Sequence, residues 1–246
     1  INLTMKKLYT FLLIFILQFS FAQDWTHIKY TFLKAIPGEN YADALKEKWS
    51  KLHKQRIEEG HIVGWDVWAV VDAPQLPFTH VITTLYNGTI DSMYAGLNFK
   101  KVFPDMTDDD LEIFYSNNRK KREIVSSGVV IGLDFAGNPE LSDFAVMNFM
   151  KVKTGSEKSY EDMEKNVFKK NVARDSRVSW ALQRRVDRYG TDLYWNYMTI
   201  DWYEKYSDIL NGLSGPAQSI SKSYKTMLSL RDLRESVVIW KVLMIR

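Results

Sequence analysis

Phe32-Leu33-Lys34, with Gly38 four residues after the lysine, returns as Phe149-Met150-Lys151 with Gly155 at the same spacing. Behind each glycine a helical pattern opens on a tyrosine, Tyr41 and Tyr160. Each stretch then places a small residue before a tryptophan in a strand-like run, Val63-Gly64-Trp65 and Val178-Ser179-Trp180. Each closes on Arg-x-x-Arg-Glu-x-Val, carried by Arg119, Arg122, Glu123 and Val125 and again by Arg231, Arg234, Glu235 and Val237. Four landmarks in one order predict a duplicated unit of about 110 residues, the ordinary size of a domain.

Within the first copy, Ile28, Tyr30 and Phe32 alternate with Lys29 and Thr31, the period of a strand. Pro37 and Gly38 stop it. Tyr41, Ala44, Leu45, Trp49, Leu52 and Ile57 follow at helical steps, with Gly60 as the cap. Strands are expected over 62–71, 78–86 and 124–133. The turns between them fall at Asp72-Ala73-Pro74 and Asn87-Gly88. Thr107 and Asp110 have the spacing of a capping box for a helix to about Asn118. The second copy repeats the order, with strands over 144–152, 178–186 and 192–202, a helix through Tyr160 and Val172, another from near Trp202, and a last strand over 237–245. Gly137-Asn138-Pro139 marks the boundary, giving units 23–136 and 137–246.

Strand, helix, strand, strand, helix, strand is the ferredoxin-like order. The fold class is α+β: two tandem βαββαβ repeats. One such sheet carries helices on a single face, so its bare face must be covered by a second sheet. The expectation is two antiparallel sheets meeting face to face as a pseudo-two-fold α/β barrel. Element order, the repeated Phe-x-Lys-x-x-x-Gly and the strand tryptophans resemble the dimeric α/β-barrel superfamily over nearly all of the chain beyond residue 22. That superfamily includes antibiotic-biosynthesis-monooxygenase-like, stress-responsive-barrel and NIPSNAP-like families, and the tandem secreted form is the nearest resemblance. It implies one of several chemistries: cofactor-free oxygenation, haem degradation, haem peroxidase activity, isomerisation or plain binding. The fold does not choose among them.

Residues 1–22 read as an address. Ile1 to Thr4 look like upstream sequence before a start at Met5, Lys6 and Lys7 form a positive n-region, and Leu8 to Phe19 an apolar run too short for a comfortable span. Small residues at Ser20 and Ala22 predict cleavage after Ala22 and a periplasmic or secreted protein, with no membrane association afterwards. Loss of the two lysines takes the formal charge from +3 to +1, which removes the global electrostatic reason to bind nucleic acid. The chain has no cysteine, which excludes disulfides, iron–sulfur clusters and thiolate zinc sites.

All four histidines, His27, His53, His61 and His80, lie in the first copy, and no His-x-x-x-His pair exists. The expectation is no metal. Tandem haem peroxidases that the chain resembles take their axial histidine from the second unit, which has none here, so no haem is expected. His80 is placed opposite Asn196 in the repeat. The pair reads either as catalytic groups that polarise a substrate carbonyl or as polar residues at a sheet end. Trp65, Trp68 and Trp180 read as ligand-contacting aromatics or as core. Arg177 and Arg185, sharing strand parity with Gln183 and lacking counterparts in the first copy, read as a guanidinium face for an anion or as a solvated edge. Arg122 with Glu123 and Arg234 with Glu235 read as structural ion pairs.

Three functions remain, in this order. The first is a monomeric pseudo-dimer binding a small apolar or aromatic ligand between sheet and helices. The second is a cofactor-independent monooxygenase or isomerase. The third is an interaction module without a ligand site.

Overall fold

The computed structural model describes residues 27–39, 41–71, 76–87, 94–172, 174–214 and 222–246. The expected leader with its cut after Ala22, the Asp72-Ala73-Pro74 turn and Gly88 lie outside the described residues. Among the described residues no helix is long and apolar enough to cross a membrane.

Eight strands form a closed antiparallel barrel: β1 (His27–Ala35), β2 (Gly64–Val70), β3 (His80–Tyr86), β4 (Arg122–Gly137), β5 (Phe144–Val152), β6 (Arg177–Arg185), β7 (Tyr197–Tyr203) and β8 (Arg231–Ile245). Their order around the barrel is β1-β3-β2-β8-β5-β7-β6-β4. Cut at the β2·β8 and β4·β6 seams, this gives two sheets of matching order, β4-β1-β3-β2 and β8-β5-β7-β6. The seams use the edges that each sheet alone would leave unpaired, and closure removes them.

Six helical segments lie outside the barrel. The first, α1, runs through Tyr41–Ala44, a π-helical turn at Leu45–Trp49, and Ser50–Glu58. Phe99–Val102 is α2 and Asp108–Lys120 is α3. Thr107 and Asp110 make the expected reciprocal capping box on α3. In the second half, α4 runs through Glu157–Met163, a π-helical turn at Glu164–Phe168 and a 3₁₀ turn at Lys169–Asn171. Tyr206–Leu213 is α5 and Lys222–Leu230 is α6.

The repeated landmarks have structural reasons. The β1–β4 register shifts between Phe32 and Leu33, and the β5–β8 register between Phe149 and Met150. The Phe-x-Lys motif is therefore a β-bulge, which turns Phe32 and Phe149 into the barrel and Leu33 and Met150 toward the helices. Gly38 and Gly155 have φ of +86° and +85°, a region a side chain disfavours, at the turn from strand to helix. Both π turns begin four residues after the tyrosine, closed by Ser50 N–H to Leu45 O and by Lys169 N–H to Glu164 O.

The fourth landmark does not superpose. Ala35 pairs with Arg122 and Val152 with Arg231. The partner of Arg122 in the other half is thus Arg231 and not Arg234. The strand expected from Val237 begins at Arg231, the strand expected from Asp192 begins at Tyr197, and the helix expected near Trp202 begins at Tyr206.

Three apolar clusters fill the molecule. The largest lies inside the barrel, where Tyr30, Phe32, Trp68, Phe149, Met198, Trp202 and Ile239 meet. Among the polar groups there, the Tyr30 hydroxyl donates to Gln183 Oε1 at 2.9 Å, Gln183 Nε2 is buried without a hydrogen-bond partner among the described residues, and Asp66 accepts from Thr83 Oγ1 at 3.0 Å and pairs with Arg246. The space left in the barrel is about 30 Å³, room for a water. The other two clusters lie outside the barrel under the helices, one in each half.

Candidate functional site

A pocket of about 250 Å³ opens between the outer face of the first sheet and α1. Strands β1, β2 and β3 supply its floor through outward-facing Leu33, Trp65, Ile82, Thr84 and Tyr86, and α1 supplies Tyr41, Leu45, Trp49, His53 and Arg56. The helical residues recur at steps of three and four, so one face of α1 reaches the sheet. Asn118 and Arg122 close one end. At the rim, Lys29 Nζ donates to the Tyr94 hydroxyl at 3.2 Å.

Aromatic surfaces dominate this space. The His53 ring stacks on Trp65 with centroids 4.4 Å apart and planes at 17°. Trp49 stacks on His53 at 6.1 Å and meets Phe99 of α2 edge-on at 5.1 Å. Trp65 is 1% exposed. It belongs both to the core and to the pocket wall.

His53 is neutral in this setting. Burial, and then the Arg56 charge, pull it down to about 3. Arg56 Nη1 lies 3.2 Å from His53 Nδ1. A guanidinium only donates, so Nδ1 accepts and the ring proton sits on Nε2. Among the described residues Nε2 has no hydrogen-bond partner. His53 can therefore donate a hydrogen bond to a ligand oxygen; it is not a base. Arg56 is held in turn by its Nε donation to Ala95 O at 2.8 Å and by the Tyr86 hydroxyl.

The corresponding space of the second half is built differently. Tyr160, Trp180 and Arg231 repeat Tyr41, Trp65 and Arg122. Glu164 stands where the first half has Leu45, each opening its π turn, whereas the helix that carries His53 in the first half gives way to a 3₁₀ turn ending at Asn171 in the second. Glu164 is 3% exposed; burial raises it to about 7 against the pull of Tyr160 and Arg231. Tyr197 donates to Glu161 Oε1 at 2.7 Å, and Arg177 pairs with Asp201 at 2.6 Å. Arg231 Nε and Nη1 stay buried without a hydrogen-bond partner among the described residues.

Of the sequence candidates, Asn196 and Arg185 line one hollow of about 410 Å³ in the second half, and the others are dispersed. His80 pairs with Leu33 and Tyr197 with Met150, so the residue matching His80 is Tyr197, and Asn196 matches Thr79. The shift explains what both do. Thr79 Oγ1 accepts from Ala35 N at 2.9 Å, and Asn196 Oδ1 accepts from Val152 N at 2.7 Å while its Nδ2 donates to Val152 O at 2.9 Å. Each satisfies the bulged strand's last backbone groups. His80 Nδ1 lies 2.9 Å from Thr79 Oγ1, and His80 is not among the residues lining the pocket. Asn196→Ala is expected to cost about 1–3 kcal/mol by stranding these groups, read by chemical denaturation; an unchanged midpoint shows that the clamp contributes nothing.

Trp65 and Trp68 fall on opposite faces of β2, the first under α1 and the second inside the barrel. Trp180 lies buried in the second half. Arg177 and Arg185 do not share a face, because β6 is bulged between Arg177 and Ser179. Arg177 turns to the helices and meets Asp175, Asp201 and Phe168 O. Arg185 pairs with Asp187 and lies 4.5 Å over the Trp195 ring. Arg234 lies over Tyr194, outside the ion pair expected with Glu235. His53, Arg56 and Arg122 carry the pocket's polar chemistry. The signal for them was a histidine and an arginine at i+4 and i+7 from Trp49, on the face assigned to the core.

No family model matches the chain, and no curated protein matches it. Solved structures do. An anthrone oxidase-like protein superposes with a TM-score of 0.57 at 12% identity, covering 91% of this chain and 94% of its own. A candidate monooxygenase from Fusobacterium nucleatum gives 0.52 at 13% identity, over 89% and 94%. A heme-binding protein from Thermus thermophilus gives 0.51 at 12% identity, over 88% and 91%. These likenesses show the fold.

A tetrapyrrole does not fit the pocket as it stands. Its volume suits one or two fused rings, and the one histidine in its wall has Nδ1 taken by Arg56. Among the described residues no three metal-ligating side chains cluster.

Proposed function

We propose that the protein binds a small planar aromatic molecule in the first-half pocket, with Trp49, Trp65 and Tyr86 against its faces and His53 Nε2 donating to a ring oxygen. The observation that carries this reading is the stacked His53–Trp65 pair beside an open volume of about 250 Å³, close to the lower bound of small-molecule sites. Fold neighbours described as anthrone oxidase-like, monooxygenase and heme-binding support ligand binding by this architecture. A second reading, cofactor-independent oxygenation or isomerisation, is favoured by His53, whose neutral donor suits a developing oxyanion.

The matching strand order, bulges and π turns support two halves derived from one duplicated unit, 23–136 and 137–246, acting as a monomeric pseudo-dimer. Kinship with the NIPSNAP-like and antibiotic-biosynthesis-monooxygenase-like families, and export with cleavage after Ala22, belong to the same proposal.

Titration with naphthalene derivatives while tryptophan emission is followed tests the reading. Saturable quenching that is lost in His53→Ala and retained in Trp180→Phe is expected. Quenching that survives His53→Ala unchanged places the ligand elsewhere.

A further inference from the structure

The first-half pocket is lined by an arginine with an unmet donor. Arg122 and Arg231 occupy matching positions at the start of β4 and β8, each beside the tyrosine that opens its helix. Beside Arg231, the second half places the buried carboxyl of Glu164, yet Arg231 Nε and Nη1 are themselves buried without a hydrogen-bond partner among the described residues. In the first half the position of Glu164 is Leu45. Arg122 reaches the Tyr41 hydroxyl, but its Nε is buried and has no hydrogen-bond partner among the described residues.

The rest of the pocket adds positive charge. Its lining includes three cationic side chains, Lys29, Arg56 and Arg122, and no carboxylate among the described residues. Arg56 is already engaged by Ala95, His53 and Tyr86. Arg122 keeps an unused donor. An uncompensated buried donor costs free energy, and a charged one costs more.

Resting on the aromatic-site reading above, we propose that the ligand is an aromatic carboxylic acid, bound as its anion, whose carboxylate meets Arg122. Its ring lies against Trp65 and Trp49. A guanidinium recognises a carboxylate by two parallel hydrogen bonds, and Arg122 Nε is one of the donors that such a pair uses.

Calorimetric titration with 2-naphthoate and with its uncharged isostere 2-naphthamide tests this. The acid is expected to bind at least about tenfold more tightly than the amide. That preference is expected to vanish in Arg122→Gln and to persist in Arg122→Lys. Leu45→Glu gives a second line that does not remove the arginine: a carboxyl introduced into the wall that Arg122 shares is expected to weaken acid binding at least about tenfold more than amide binding. Equal affinity for acid and amide in the wild-type protein overturns the inference and leaves the aromatic site standing. Binding of neither probe overturns both.

Discussion

Trp65→Ala and Trp180→Ala are each expected to lower the free energy of unfolding by about 3–5 kcal/mol, and only the first to abolish ligand binding. Both indoles are 1% exposed and sit at matching places on the second strand of their sheets. Each fills the layer between sheet and helix, so truncation leaves a void that the rigid barrel cannot close. Their neighbours differ. Trp65 stacks on His53 and forms the pocket wall, whereas Trp180 packs with Tyr160, Leu182 and Tyr197. Chemical denaturation reads the shared cost. Trp65→Phe and Trp180→Phe, which keep an aromatic ring in each layer, read binding. Equal loss of affinity in the two Phe variants means that binding follows general stability, and the pocket is then not the site.

That pair also marks how far the sequence could be read. Tryptophans kept in both halves are explained by packing, since both halves must fold. Nothing in the spacing distinguishes the copy that also touches a ligand. Alternation and helix periodicity located nearly every element because each rests on local backbone geometry. Parity failed where a bulge intervened. The bulge after Arg177 placed Arg177 and Arg185 on different surfaces, and a period-two count cannot register an inserted residue. The Arg-x-x-Arg-Glu-x-Val repeat misled for a related reason. Loops of different length precede β4 and β8, so identical letters fell out of register, and Arg122 came to match Arg231.

His53 was hidden by the strength of the apolar pattern around it. Tyr41, Leu45, Trp49 and Leu52 describe a buried helix face, and a histidine beside Leu52 reads as its border. Only the stacking on β2 shows that the face is shared between core and pocket. The difference between halves was legible as letters, Leu45 against Glu164 and His53 against Val172. It gains meaning at Leu45 and Glu164 once each is seen to open the π turn of its half.

Glu164→Gln and His53→Phe are expected to tilt the dependence of stability on pH in opposite directions. Glu164 is raised by burial from 4.5 to about 7. The native state holds a proton that the unfolded chain releases, so this contribution is present below pH 4.5 and lost as pH rises through 7. His53 is lowered by burial from 6.5 to about 3. Here the unfolded chain binds the proton, so the contribution is present above pH 6.5 and lost as pH falls toward 3. Each slope reaches at most about 1.4 kcal/mol per pH unit. Between pH 4.5 and 6.5 the two nearly cancel, and the wild-type protein hides both.

Removing one group exposes the other. Relative to wild type, Glu164→Gln is expected to gain nothing at pH 4 and on the order of 3 kcal/mol at pH 7. For a chain of this size that raises Tm by roughly 6–12 °C. His53→Phe keeps a ring against Trp65 and should lose the acid-side penalty, gaining relative to wild type as pH falls below 6.5. Taking variant against wild type at each pH cancels every other titrating group, including Asp66 and Asp201, which burial also raises. A Gln variant less stable than wild type at pH 7 would mean that Glu164 is ionised against Arg231, with the attraction of the pair outweighing the burial of the carboxylate.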